Sequence, residues 1–341
     1  MIIKHLKLFI GILTFVFLSP ATAQENSTTF MEACRKGAQS PTITVAGKEN
    51  WAFLKSELRF LSAGDFWGEN AAKTSQAKDP KVQDPLAAIT VYQKALAAEN
   101  IDLILLPIPP KAVIYPDKLP DVNLPVARYD QSLQRFYDIL RKQGVQVFDV
   151  TPLLINARKN SDEPLYCLGD SHYSSYGCKV IAEALAKEIQ KSHKLSGKQK
   201  YTTEKNNIRI TGDLYKAAQN SSGNTLPKDE SIALYTVKGG ETKSKESPIL
   251  ILGDSHTLVF DIGADLFSTN AGFPSLLAAA LKMPVEVMGV RGSGATPARI
   301  NVYRRSKADV NFLKQKKLFI WCFSAREFTE ANGWNASVPI K

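Results

Sequence analysis

Short apolar runs alternate along the chain with stretches whose apolar residues recur at helical spacing, the pattern of an α/β domain with a largely parallel sheet. Asp84 and Pro85 suit the N-cap and first turn of a helix, and Ile89, Tyr92 and Leu96 then share one face of it. Residues 101–107 predict a buried strand, ended by Pro107, Pro109 and Pro110. Leu133, Phe136, Ile139 and Leu140 mark the next helix, stopped at Gly144, and residues 145–150 read as the following strand. Val180, Ile181, Ala184, Leu185 and Ile189 line another amphipathic helix. From 191 to 207 the chain turns polar and lysine-rich, which predicts a solvated connector with no core of its own. A second set follows, with strands at 248–252, 285–288 and 318–323 and a helix at 273–281.

The beginning of the chain breaks this pattern. Lys4 and Lys7 precede an apolar run at 8–18, and Ala21-Thr22-Ala23 is a small-x-small cleavage signal. The run is too short for comfortable passage across a hydrocarbon core, which takes roughly 20 residues. Residues 1–24 therefore predict a signal peptide, or an N-terminal anchor if uncut, with one domain at 25–341 outside the cytoplasm.

At 44% hydrophobic and 22% charged residues, the chain can bury a proper core. The formal charge of +10 includes the two signal lysines, leaving +8 on the remainder. Outside the cytoplasm such a surface points to anionic polysaccharide or lipid headgroups before nucleic acid, though a plain lysine-rich solvated surface fits equally well. Four cysteines, Cys34, Cys167, Cys178 and Cys322, permit disulfides in an oxidising compartment. Cys167 with Cys178, or Cys34 with either, are the open pairings; Cys322 lies in an apolar run and reads as a buried free thiol. No CxxC pair exists, and no metal or cofactor is expected.

Candidate chemistry follows by elimination. Of four histidines, His5 belongs to the signal and His193 to a cationic stretch expected in solvent. His172 and His256 each follow Gly-Asp-Ser. The apolar run ending in Gly253-Asp254-Ser255 delivers a hydroxyl to the carboxyl edge of a sheet, where ligands bind in open α/β folds. A serine there needs a base. Asp170 and His172, two residues apart, share one face of an extended segment, so the acid can hold the imidazole against Ser255. Structural readings compete, with Asp254 or Ser255 capping a helix and Asp170 doing the same beside a core histidine. The reversed assignment, Ser171 with His256, is disfavoured because Ser171 would point away from its neighbours. For an oxyanion, the Ser255 amide and the turn holding Arg291, Gly292 and Gly294 are candidate donors, or the turn merely ends a strand. Arg291, Arg299 and Arg326 either bind a sugar carboxylate or face solvent.

In order along the chain, Trp51-Ala52-Phe53-Leu54 with Glu57-Leu58-Arg59, Pro107-Ile108-Pro109-Pro110-Lys111-Ala112 with Tyr115-Pro116, Asp170-Ser171-His172, Gly253-Asp254-Ser255 and the segment 321–327 resemble the SGNH-hydrolase-like domain of alginate O-acetyltransferases. The resemblance implies an SGNH-hydrolase-like, flavodoxin-like sheet whose acid and base precede the serine, a circularly permuted order. It also implies a periplasmic enzyme, peripheral to the inner membrane, that moves acetyl groups onto an exopolysaccharide with no cofactor. A membrane-bound O-acyltransferase would supply the acetyl donor. Tyr173 stands where the family often has Trp, and His256 where an aromatic commonly follows; both are expected at the acyl or sugar pocket. A secreted carbohydrate esterase with the same triad, and a silent polysaccharide-binding protein, are the alternatives.

Overall fold

The computed structural model describes residues 20–219, 221 and 223–341. The expected signal therefore lies mostly outside the described residues, and its last residues begin the helix Pro20–Ala38. No helix among the described residues is long and apolar enough to cross a membrane.

Nine strands are described here in chain order: β1 Thr44–Ala46, β2 Ala52–Leu54, β3 Asp102–Ile108, β4 Gln146–Val147, β5 Thr202–Ile210, β6 Glu230–Lys238, β7 Ile249–Gly253, β8 Glu286–Gly289 and β9 Leu318–Ser324. Five of them form one all-parallel sheet in the order β4-β3-β9-β7-β8. Helices cover both faces of a parallel sheet, so its central strands read as unbroken apolar runs. Every residue of β7 and β9 is buried. Because the strands are parallel, Ile108, Gly253, Gly289 and Ser324 end at one edge.

Three helices lie where periodicity placed them, at Pro85–Ala98, Gln131–Lys142 and Phe273–Leu281. The Asp84 carboxylate accepts from the Leu86 amide, the capping bond its sequence position implied. A fourth, Ser175–Ser192, starts earlier than its apolar pattern because Ser174 caps it through the Gly177 amide.

Other expectations need correction. The strand β3 runs through Pro107, since β4 pairs with it only at Ile104 and Leu105. Leu105 and Pro107 face the same side, so the missing proline N–H falls where no ladder continues. The expected strand at 145–150 shrinks to the two residues of β4 at the sheet edge. The connector at 191–207 contains the first six of the nine residues of β5, which pairs antiparallel with β6 in a separate ribbon. Seven of the nine β5 residues are exposed, so no apolar alternation marks it; β6 supplies the buried Ile232, Leu234 and Val237.

All four cysteines are free and buried, so none of the expected disulfides forms. The turn that a Cys167–Cys178 bridge would have braced is closed by main-chain bonds instead. Tyr166 and Tyr173 form an antiparallel bridge, and the Cys167 amide donates to the His172 carbonyl. His193 is tucked in rather than solvated, with Nε2 3.5 Å from Asp102 Oδ2.

Candidate active site

The carboxyl end of β7 passes so close to β9 that only glycine fits there. A Cβ on Gly253 would sit 1.5 Å from the Cys322 carbonyl oxygen. Asp254 then caps a single 3-10 turn, Ser255–Thr257. Its carboxylate accepts from the His256 amide at 2.8 Å and from the Ser324 amide at the end of β9 at 2.9 Å. Thr257 Oγ1 donates to the Cys322 carbonyl. The capping role weighed for Asp254 is thus real, and it fixes the half-buried Ser255 at the sheet edge.

His172 meets this hydroxyl from the first half of the chain. Its Nε2 lies 2.8 Å from Ser255 Oγ, and its Nδ1 lies 2.6 Å from Asp170 Oδ1. The segment is a bend and not the extended stretch expected. Asp170 Oδ1 also accepts from the His172 amide at 3.0 Å, an Asx-type turn that folds acid and base together. Ser171 points away, as expected, and donates through Oγ to Asp213.

Burial disfavours the charged forms of both groups, yet their mutual attraction outweighs it. Asp170 falls to about 2, because the His172 charge and hydrogen bonds from His172 and the Asp213 amide overcome desolvation. His172 is desolvated too, but Asp170 and then Asp213 carry it above its ordinary value. An imidazole so placed accepts a proton readily.

Three residues that sequence reasoning missed hold the loop. Lys111 is fully buried, and its ammonium donates to the carbonyls of Ala52, Leu168 and Asp170 at 2.8, 3.1 and 2.6 Å. Glu230 accepts from the Leu168 and Gly169 amides. Asp213 accepts from the Ser171 amide and hydroxyl, and its own amide donates to Asp170 Oδ2 at 2.9 Å. Lys111 was visible only as part of a proline-rich strand end. Asp213 and Glu230 lie in a stretch with no readable periodicity.

The remaining candidates divide. Tyr173 and His256 do not line a pocket; both are buried behind His172. Their rings stack at 5.4 Å, the Tyr173 hydroxyl donates to the His256 carbonyl, and the two histidine rings are 4.7 Å apart. Burial pushes His256 down to about 4 despite Asp254, so it stays neutral. Arg291 turns outward to an exposed ion pair with Asp265. Arg299 neither faces solvent nor reaches the site, being buried between Tyr92 and Trp321. Arg326 does reach it: Nη1 lies 3.3 Å from Glu57 Oε1, and its charge bears on Asp254 and both histidines.

In the glycine turn, Gly292 sits at φ +79° with open space around it. Gly294 packs against the turn that carries Ser255, where a Cβ would come 2.8 Å from the Asp254 nitrogen. Its carbonyl accepts from Trp321 Nε1, and its amide bears on the buried Glu327 carboxylate.

Asp170, His172 and Asp213 bring ligand-type atoms within 4.8 Å of one another. Each of those carboxylate oxygens already accepts a hydrogen bond, and both His172 nitrogens are engaged. The cluster is satisfied as a hydrogen-bonded unit and does not fit a cation.

Comparison with known proteins gives a consistent match. The model of the SGNH hydrolase-like domain, acetyltransferase AlgX, matches residues 44–325. A probable alginate O-acetylase AlgJ from Pseudomonas aeruginosa is 26% identical over 44% of this chain and 34% of its own length. The matched region thus spans about a third of that relative. The alginate biosynthesis protein AlgX of Azotobacter vinelandii is 22% identical over 90% of this chain and 59% of its own. Among solved structures, the O-acetyltransferase domain of Pseudomonas putida AlgJ superposes with a TM-score of 0.65. It is 21% identical, and the match covers 85% of this chain and 94% of that one. The fold is therefore SGNH-hydrolase-like.

Proposed function

This chain belongs to the family of SGNH hydrolase-like acetyltransferase domains that includes AlgX, and from that premise we propose that it transfers acetyl groups to an exopolysaccharide through an acetyl ester on Ser255. The observation that carries the proposal is the continuous chain of hydrogen bonds from Ser255 Oγ through His172 to Asp170, at 2.8 and 2.6 Å.

His172 Nε2 takes the Ser255 proton as Oγ attacks the acetyl carbonyl of the donor. Asp170 fixes the tautomer and stabilises the imidazolium that forms. The Ser255 amide, at the start of a helical turn where donors lack intrahelical partners, faces the developing oxyanion. His172 returns its proton to the leaving group, and the C–O bond to the donor breaks. A sugar hydroxyl then gives its proton to His172 and attacks the acetyl carbonyl; the bond to Ser255 Oγ breaks, Oγ takes that proton back from His172, and the sugar leaves as the ester. The acceptor class comes from relatives named for alginate O-acetylation and alginate biosynthesis. The basic exterior suits an acidic polymer. The setting is the periplasm beside the inner membrane, with a membrane-bound O-acyltransferase delivering the acetyl group.

Half-burial of Ser255 leaves it open to solvent, which favours hydrolysis as the second reading: with water as acceptor, the same steps make a carbohydrate esterase. Intact-mass spectrometry after incubation with an acetyl ester tests the common step, and an oligosaccharide acceptor separates the two. An acetyl adduct on the wild type, absent from Ser255→Ala, is expected, together with acetylated sugar. Wild-type acetate release by Ser255→Ala would overturn the proposal, and acetate as sole product would favour the esterase.

A further inference from the structure

The polar stretch between the two halves of the sheet reaches the loop that carries the acid and base. It comprises β5, the helix Asp213–Ala218 and β6. Glu230 opens β6 and takes the Leu168 and Gly169 amides at 2.8 and 2.7 Å. Asp213 opens the helix and takes the Ser171 amide and hydroxyl at 2.7 and 2.6 Å. The Leu214 and Tyr215 amides donate to the Gly169 carbonyl at 3.0 and 2.9 Å, and the Asp213 amide to Asp170 Oδ2. The fit is close on both sides. A Cβ on Gly212 would lie 2.2 Å from the Gly169 oxygen, and one on Gly169 would lie 2.3 Å from the Tyr215 ring.

We propose that this ribbon unit is what positions the base, with Asp213 and Glu230 as positioning residues for His172. The proposal rests on the reading of His172 as the base of Ser255. The two carboxylates differ in what else they do, and that difference makes them separable. The charged and titratable groups facing His172 are Asp170 from its own loop, Asp213 from the ribbon's helix, Arg326 from beyond β9 and His256 from the turn after β7. Asp213 therefore acts on the imidazole in two ways, by holding Ser171 and by placing a negative charge nearby. Glu230 holds the main chain, and its charge bears on Lys111 and Asp170 and not directly on the imidazole. An asparagine at 213 keeps an acceptor for Ser171 but loses the charge. A glutamine at 230 keeps one acceptor and turns an NH2 toward an amide donor, so one of two charge-assisted bonds is lost.

The test uses the full chain with p-nitrophenyl acetate as acetyl donor, and follows the His172 ring by NMR titration in the same variants. Asp213→Asn is expected to move both the His172 titration and the acid limb of kcat/KM to lower pH. Glu230→Gln is expected to leave the limb in place and lower kcat about tenfold at unchanged KM; Glu230→Asp, which keeps the charge, restores part of the loss. Circular dichroism and melting temperature identify any variant that fails to fold, and for such a variant the His172 titration in Ser171→Ala, which cuts the Asp213 bond from the other side, decides. Variants that fold yet keep the wild-type limb, titration and kcat would overturn the proposal. So would a raised KM with an unmoved limb, which would make Asp213 a substrate contact. Because the titration needs no turnover, an active Ser255→Ala would sink the acyl-transfer reading while still leaving the ribbon's role to be decided by His172.

Discussion

Replacing Asp170 with asparagine puts the greatest strain on the proposed chemistry. Asp170 is 1% exposed, and both its oxygens are occupied. Oδ1 accepts from the His172 ring and amide, and Oδ2 from the Asp213 amide. Asparagine has a single acceptor oxygen, so either orientation sets its NH2 against an N–H donor. The larger loss is charge. Opposite charges about 4 Å apart attract by roughly 4 kcal/mol at an effective dielectric of ~20. That attraction is present when His172 carries the proton and absent when it is neutral, so it lowers the barrier to deprotonating Ser255. At about 1.4 kcal/mol per decade, Asp170→Asn should lower kcat for acetyl release about a thousandfold, with KM little changed. The assay is steady-state release of p-nitrophenol from the acetyl ester, with melting temperature as a check on folding. A folded variant within tenfold of wild type would refute the idea that Asp170 stabilises the imidazolium.

Two further outcomes follow from the titrating groups. His172 must be neutral to act, and its proton affinity is raised above the ordinary 6.5, so kcat/KM should climb with pH through one ionisation lying above that value; a limb below it would contradict the assignment. The same shift favours the protonated fold, so this contribution to stability is present below the ordinary value and lost as pH rises through the folded one. Burial, then the nearby Asp254 charge, raises Glu327 from 4.5 to about 7, so the fold favours its protonated form and loses stability as pH rises between those values. Glu327→Gln should therefore gain stability relative to wild type between about pH 5 and pH 8, by up to the order of 3 kcal/mol. Thermal melts with a pH-independent difference would rule this out.

Much of the architecture was legible because each element carried its own local signal. The strand β7 and the helix Phe273–Leu281 were readable from unbroken apolar runs and their flanks, since burial on both faces leaves only apolar residues tolerable. The hydrogen-bonded chain of Asp170, His172 and Ser255 was legible for a different reason: scarcity. With few histidines and two Gly-Asp-Ser triplets, chemistry alone favoured pairing His172 with Ser255 over Ser171 with His256.

What tertiary structure decided concerns contacts between segments far apart in the chain. An exposed strand such as β5 has no apolar face to betray it and is defined by its partner β6. The family resemblance put Tyr173 and His256 at a pocket, yet the crossing of their two loops buries them behind His172. Whether Lys111 is solvated or caged by three carbonyls depends on chain segments about 57–59 residues away. Periodicity records which face of an element meets the core. It carries no record of which buried polar group will find which partner, because that is fixed only when distant loops close on one another.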